Sequence, residues 1–265
     1  MQTLRLVLLF LGISCLCILP HSHAQDRTPY LKWAVKDASE LLGGIDGRTL
    51  LYGAGGIGIV SLLSTLDEPI RSRAANSGQF IQSYADVTNL LGEPYVVIPG
   101  ALGIFGISLL TENTRFQDAA FTSLEALAYA SAVTIGLKML IGRHRPNRTS
   151  SAYTFSPLSG NDSFPSGHAT AAFAVLVPWA LYYPNVLTWS LVGITAGSTA
   201  FARIEKNKHW FSDVLAGSVI GFTGAYLLSR KHQHRRAAQQ DNTSSLRFTP
   251  LLFPNHQGML LAYSF

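Results

Sequence analysis

The sequence predicts an all-α fold: a bundle of about six apolar core helices, followed by a short C-terminal β-hairpin. Three observations predict it. Of 265 residues, 48% are hydrophobic and only 13% charged, against about 25% charged in an average soluble domain. Six long apolar segments (49–66, 95–110, 116–141, 169–183, 186–202 and 211–229) are separated by breaks such as Asp67-Glu68-Pro69, Gly92-Glu93-Pro94 and Tyr183-Pro184-Asn185. The end of the chain alternates instead, through Leu246, Phe248 and Leu251 to Phe253, turns at Pro254-Asn255-His256-Gln257-Gly258, and runs on to Phe265.

Taken in order, residues 1–24 read as a secretory signal: Arg5, an apolar run from Leu6 to Leu19, then Ser22-His23-Ala24 before the cut. Both cysteines, Cys15 and Cys17, fall inside it. The mature chain then has none, which excludes disulfides, thiolate chemistry and cysteine-ligated metal. Residues 25–236 form the expected domain, and 237–265 a polar linker with the hairpin. Residues 28–44 predict a short amphipathic helix, capped by Thr28 and stopped by Gly43-Gly44. It lies either on a membrane surface or against the bundle.

The six segments are rich in Gly, Ala, Ser and Thr, which suits close helix packing in or out of a bilayer. Eighteen helical residues reach roughly 27 Å, barely a bilayer core. Six spans from an exported N-terminus would leave the basic run Arg230-Lys231-His232-Gln233-His234-Arg235-Arg236 outside, against the positive-inside tendency. Either a segment does not span, or the signal is an anchor, or the bundle is a periplasmic domain with a thick apolar core. The net charge of +5 favours anionic partners. No Lys/Arg stripe interleaved with aromatics is present, so nucleic acid is not among them.

The chemistry lies in three pieces. Lys138 and Arg145 are seven residues apart, two turns of one predicted helix, with Pro146 ending it. They read as an anion grip or as a basic interfacial anchor. Pro165-Ser166-Gly167-His168 opens the next helix, whose N-terminus offers free N–H groups and a positive dipole. Ser166 adds a hydroxyl, Gly167 admits close backbone approach, and His168 stands ready to give a proton to a leaving oxygen; the plainer reading is a capped helix start. Arg203, His209 and Asp213 follow. His209 and Asp213 are i, i+4, so a carboxylate fixes one imidazole nitrogen and frees the other as nucleophile. A structural pair or a metal half-site fits the same spacing, though no HExxH partner motif appears. The turn at 183–186 reverses the chain, which returns Arg203 to the end of the bundle where Ser166 and His168 lie.

In this order Lys-x6-Arg-Pro, Pro-Ser-Gly-His and Arg-x5-His-x3-Asp resemble the three signatures of the type 2 phosphatidic acid phosphatase (PAP2) superfamily. That group includes class A acid phosphatases, lipid phosphate phosphatases and vanadium haloperoxidases. The resemblance covers about 138–213. It implies a helical fold of that type, His209 as nucleophile forming a phosphohistidine, Asp213 orienting it and His168 as general acid. It further implies that Lys138, Arg145, Ser166, Gly167 and Arg203 bind the phosphate, and that no metal or cofactor is needed. Ala202 stands where the third signature usually has serine.

The expected function is hydrolysis of a lipid-linked phosphomonoester or diphosphate, such as a polyprenyl diphosphate, a phosphatidate, phosphatidylglycerophosphate or a lipid A phosphate. It would act at the periplasmic face of the envelope by a membrane-associated enzyme. A soluble periplasmic acid phosphatase, a vanadate-dependent haloperoxidase and a non-catalytic binding protein are the alternatives.

Overall fold

The computed structural model describes residues 29–43, 55–56, 58–74, 76–243, 245–253 and 256–264. The expected signal at 1–24, with both cysteines, lies outside them, as does the hairpin's Pro254-Asn255. Among the described residues eight α-helices carry the fold: α1 (Tyr30–Gly43), α2 (Asp67–Ala74), α3 (Gln79–Leu90), α4 (Pro94–Ser108), α5 (Thr114–Ile141), α6 (Gly167–Tyr182), α7 (Val186–Glu205) and α8 (Phe211–Thr243). The bundle is therefore all-helical, as expected.

Local sequence sets the helix starts. Asn113 caps α5 by accepting from Phe116 N–H at 3.0 Å. Asn185 and Thr188 close a reciprocal capping box on α7. Pro94 occupies the first turn of α4, where its missing N–H has no partner to lose. The same logic explains two helices that the apolar pattern did not reveal. Asp67-Glu68-Pro69 looks like a break, yet it is the first turn of α2, with Pro69 in a tolerated position. α3 follows it and meets α4 at a 48° bend.

At the centre α5, α6 and α8 pack together; α7 lies on α6 and α3, and α4 on α5. Small side chains line the seam, including Ala126, Ala130, Ala174, Ala180 and Ala225. α8 approaches α6 so closely that a Cβ on Gly217 would stand 2.3 Å from the Ser166 carbonyl, and one on Gly221 2.3 Å from that of Thr170. Two glycines four residues apart thus form the contact face of α8.

Two expectations change. The polar stretch 237–243 is not a linker but the end of α8, since Ala237, Ala238, Gln239 and Gln240 are good helix formers with no Gly or Pro among them. Arg145 is not on the helix of Lys138. α5 ends at Ile141, and Gly142 takes the left-handed conformation (φ 60, ψ 38). A Cβ at Gly142 would sit 1.9 Å from the Ser156 carbonyl, so only glycine fits this stop. Two described helices, α5 and α8, are long and apolar enough to cross a membrane, or three if the bent α3–α4 pair counts as one. Large apolar side chains on the outer surface, among them Phe80, Val87, Leu110, Leu140 and Leu227, suit a lipid-facing wall.

α1 is clamped to the bundle through charge. Buried Asp37 accepts from Arg235 through both oxygens, at 2.7 and 2.8 Å, and pairs with Lys231 at 2.6 Å. His232 lies between two carboxylates, with Nε2 2.9 Å from Asp37 and 3.1 Å from Glu125.

Substitution of Gly221 by Ala is expected to destabilise the protein by about 1–3 kcal/mol through overpacking. Gly136→Ala, where nothing lies within 4 Å of the added Cβ, should stabilise it by roughly 0.5–1 kcal/mol. Thermal unfolding in detergent checks both signs.

Candidate active site

The site is built where α5 ends, α6 begins and the loop from α7 enters α8. All three predicted pieces meet there. Lys138, in the last turn of α5, donates from Nζ to the main-chain carbonyl of Asp162. Arg145, just beyond the Gly142 stop, grips the Asp162 carboxylate with both arms of its fork, Nε to Oδ1 at 2.8 Å and Nη2 to Oδ2 at 2.6 Å. Ser166 is the residue before α6, and its N–H donates to the Asp213 carbonyl at 2.9 Å. A Cβ on Gly167 would point at Lys138, 3.9 Å from Cε. Arg203, buried at the end of α7, donates to Asn89 Oδ1.

Two buried polar atoms here have no partner: Ser166 Oγ and Arg203 Nε. Ser166 holds the cap position of α6 yet makes no side-chain cap, so the plain reading of a capped helix start does not account for its hydroxyl. Buried donors without partners are costly, and both belong to residues singled out for an anion.

His209 is 2% exposed. Its Nδ1 lies 2.7 Å from the Ser163 main-chain carbonyl and 3.7 Å from Asp213 Oδ2. A carbonyl only accepts, so Nδ1 carries the proton and Nε2 keeps its lone pair. The tautomer is thus fixed chiefly by the main chain, and the sequence spacing that paired His209 with Asp213 finds the more distant of two acceptors. Burial pushes the His209 imidazole down to about 4; Asp213 opposes that shift while Lys138 and Arg203 add to it.

Asp213 serves the framework. Its Oδ1 accepts from Arg143 at 2.6 Å; its Oδ2 accepts from Ser163 Oγ at 2.5 Å and from Trp210 N–H at 3.0 Å. The Trp210 bond reaches back from the first turn of α8 to the residue before it, half of a capping box. Arg143 continues to Asp67, with Nη2 2.7 Å from Oδ2, and Asp67 accepts from Ser212 N–H and Oγ at 2.8 and 2.7 Å. All three charged groups are buried.

Sequence reasoning missed Asp162, Glu93, Asn89, Arg143 and Asp67. Glu93 Oε1 stands 3.1 Å from His168 Nε2 and 4.0 Å from Arg203, and it accepts from Asn89 Nδ2 at 3.0 Å. Glu93 lies in what reads as loop punctuation, and only the α3–α4 bend brings it in. Arg143, adjacent to a basic run, looks like a surface cation. Asp162, three residues before the cis Phe164–Pro165 bond, carried no signal beyond its closeness to Ser166.

Metal-type ligands cluster elsewhere among the described residues. Asp37, Glu125 and His232 bring one donor atom each within 4.8 Å of one another, but Lys231 and Arg235 already hold Asp37. Glu125 precedes Lys138 by thirteen helical residues, so this cluster lies about 20 Å from the site along α5.

The PAP2 superfamily matches residues 119–237. Lipid A 1-phosphatase of Porphyromonas gingivalis is 29% identical over 165 residues, 61% of this chain and 34% of that protein. Lipid A 1-phosphatase of Rhizobium etli is 32% identical over 131 residues, 45% of this chain and 55% of that one. Undecaprenyl-diphosphatase BcrC of Bacillus subtilis is 28% identical over 151 residues, 57% and 71% of the two chains. The chain thus spans between a third and just over half of the length of the two lipid A 1-phosphatases. Among solved structures, a transmembrane PAP2-type phosphatidylglycerolphosphate phosphatase from Bacillus subtilis superposes with a TM-score of 0.54 at 18% identity, over 68% of this chain and 96% of that one. Aquifex aeolicus LpxE gives 0.50 at 18%, over 62% and 93%. The likeness to the PAP2 superfamily thus spans residues 119–237, which hold all three motifs.

Arg143→Met is expected to destabilise the protein by about 3–5 kcal/mol, because Asp67 and Asp213 stay buried and unpaired. Adding Asp67→Asn should recover part of the loss. Unfolding free energies of the two single variants and the double variant test that coupling.

Proposed function

We infer that this protein is a phosphatase acting on lipid-linked phosphate through a phosphohistidine. The observation that carries the reading is the buried Ser166 hydroxyl, without a partner at the start of α6, facing a site that also holds Lys138, Arg145 and Arg203. A phosphoryl group in transfer spreads charge over three equatorial oxygens, and three cations with a helix N-terminus form a preplaced counterpart.

His209 Nε2 attacks phosphorus and the bond to the leaving oxygen breaks, its electron pair staying on that oxygen. His168, entering the step as the imidazolium that burial and Arg203 oppose and that Glu93 and the substrate's charge favour, supplies the proton that neutralises the oxygen. Water then attacks the phosphohistidine, His168 takes its proton, and inorganic phosphate leaves with His209 restored. Asp213 acts through the framework, holding Ser163 and the first turn of α8. Glu93 orients His168 and Arg203. The side chains alone supply this chemistry, so a chelator should leave turnover unchanged.

The lipid-linked substrate is supported by the relatives' lipid A and undecaprenyl substrates and by the apolar outer wall of the bundle. We further propose export through the segment 1–24, a catalytic domain over 25–236 with its site at the periplasmic face, and a tail appendage. In the tail Ser245–Phe253 runs antiparallel to His256–Ser264, which supports a β-hairpin.

Phosphate release without added metal, from a polyprenyl diphosphate in detergent and from a water-soluble aryl phosphate, tests the function. Faster release from the lipid is expected; preference for the aryl ester would mean a scavenging acid phosphatase, and release from neither would overturn the reading. His209→Ala should abolish the acid-labile phosphoenzyme, and persisting label would remove His209 from its role. Because burial holds the His209 imidazole neutral down to about pH 4, the acid limb of kcat/KM should fall there rather than near 6.5, losing rate as pH drops.

A further inference from the structure

We propose that Asp162 is a built-in competitor for the phosphate site: its carboxylate fills the fork of Arg145 in the resting enzyme, and substrate phosphate takes that place while product release restores it. The inference rests on the phosphate-site reading above and adds a residue that sets affinity.

The geometry is that of anion recognition turned inward. A guanidinium binds a phosphate best through two parallel N–H donors. In Arg145 the Nε and Nη2 pair that would do so lies on Asp162 Oδ1 and Oδ2 at 2.8 and 2.6 Å. A carboxylate presents two oxygens much as a phosphate edge does, so the two compete for one fork. Burial by itself would raise the Asp162 carboxyl, but hydrogen bonds and charge from Arg145 draw it below its ordinary range, so it is an anion at neutral pH.

Asp162 is placed to exchange. Its side chain is 44% exposed and that of Arg145 21%, unlike the sealed Arg143 pairs, both of whose carboxylates have fully buried side chains. An exposed carboxylate that lets go is rehydrated at once, so opening this pair avoids the penalty of stranding a buried charge. Lys138 meanwhile holds the main-chain carbonyl of residue 162, a contact any side chain at that position retains. The loop therefore stays anchored when the carboxylate swings off.

A site of three cations would hold its inorganic phosphate product tightly. A tethered carboxylate raises the dissociation constant of every anion that needs the Arg145 fork, and so speeds the last step.

Phosphate and orthovanadate binding to the full-length protein in detergent, by calorimetry, provides the test, together with the product-inhibition constant for phosphate. Asp162→Asn and Asp162→Ala should bind both anions about tenfold tighter or more, the worth of one charge-assisted contact removed from the competitor. KM should fall, and kcat should stay level or fall with it. Equal or weaker anion binding in both variants overturns the proposal and makes Asp162 a positioning residue for Arg145. If neither the unaltered protein nor the variants bind phosphate or vanadate, the phosphate-site reading itself is wrong, and this inference falls with it.

Discussion

Arg143 lies buried between two carboxylates, Asp67 at the start of α2 and Asp213 at the start of α8. The His209 edge of the site leans on that line of charge. Asp213 holds Ser163 by its hydroxyl, and Ser163 holds His209 by its carbonyl. Asp67 takes the N–H and hydroxyl of Ser212, fixing the first turn of the same helix. Isolated charges of this kind would be expensive in a core; here each has several partners, so the penalty of desolvation falls on a network that is fully engaged.

The groups proposed to bind and transfer phosphate stand beside this framework but are not part of it. Lys138 and Arg145 share the short loop residue Asp162, and His168 and Arg203 share Glu93. Each proposed phosphate ligand thus meets an internal anion or lies near an orphaned donor. The arrangement separates rigidity from recognition: buried pairs set positions, and partly exposed pairs lie where the proposed substrate would bind.

The three motifs were legible because chemistry imposes residue type: an anion grip needs fixed cations, and an attacking imidazole needs an acceptor on its far nitrogen. The long apolar helices were legible for the same sort of reason, since their boundaries are marked by Pro, Gly and Asn. What failed was inference from spacing alone. Seven residues between Lys138 and Arg145 suggested one helix face, but Gly142 turns the chain between them. Four residues between His209 and Asp213 suggested a direct pair, but the carbonyl at 163 is nearer. Glu93, Asn89 and Asp67 were out of reach because nothing local marks them; only the fold of α2 to α4 against α7 and α8 brings them in. Likewise, the basic run at 230–236 read as a charged tail because its partner, Asp37 on α1, is nearly two hundred residues earlier.

The Ser163 carbonyl has one consequence for how this site tolerates mutation. A main-chain oxygen is present whatever residue the codon specifies, so no substitution at 163 deletes the acceptor that sets the tautomer of His209. Drift at that position can loosen Asp213, through loss of the serine hydroxyl, while leaving the imidazole correctly protonated. The protein has put its most sensitive proton under the control of an atom that heredity does not edit.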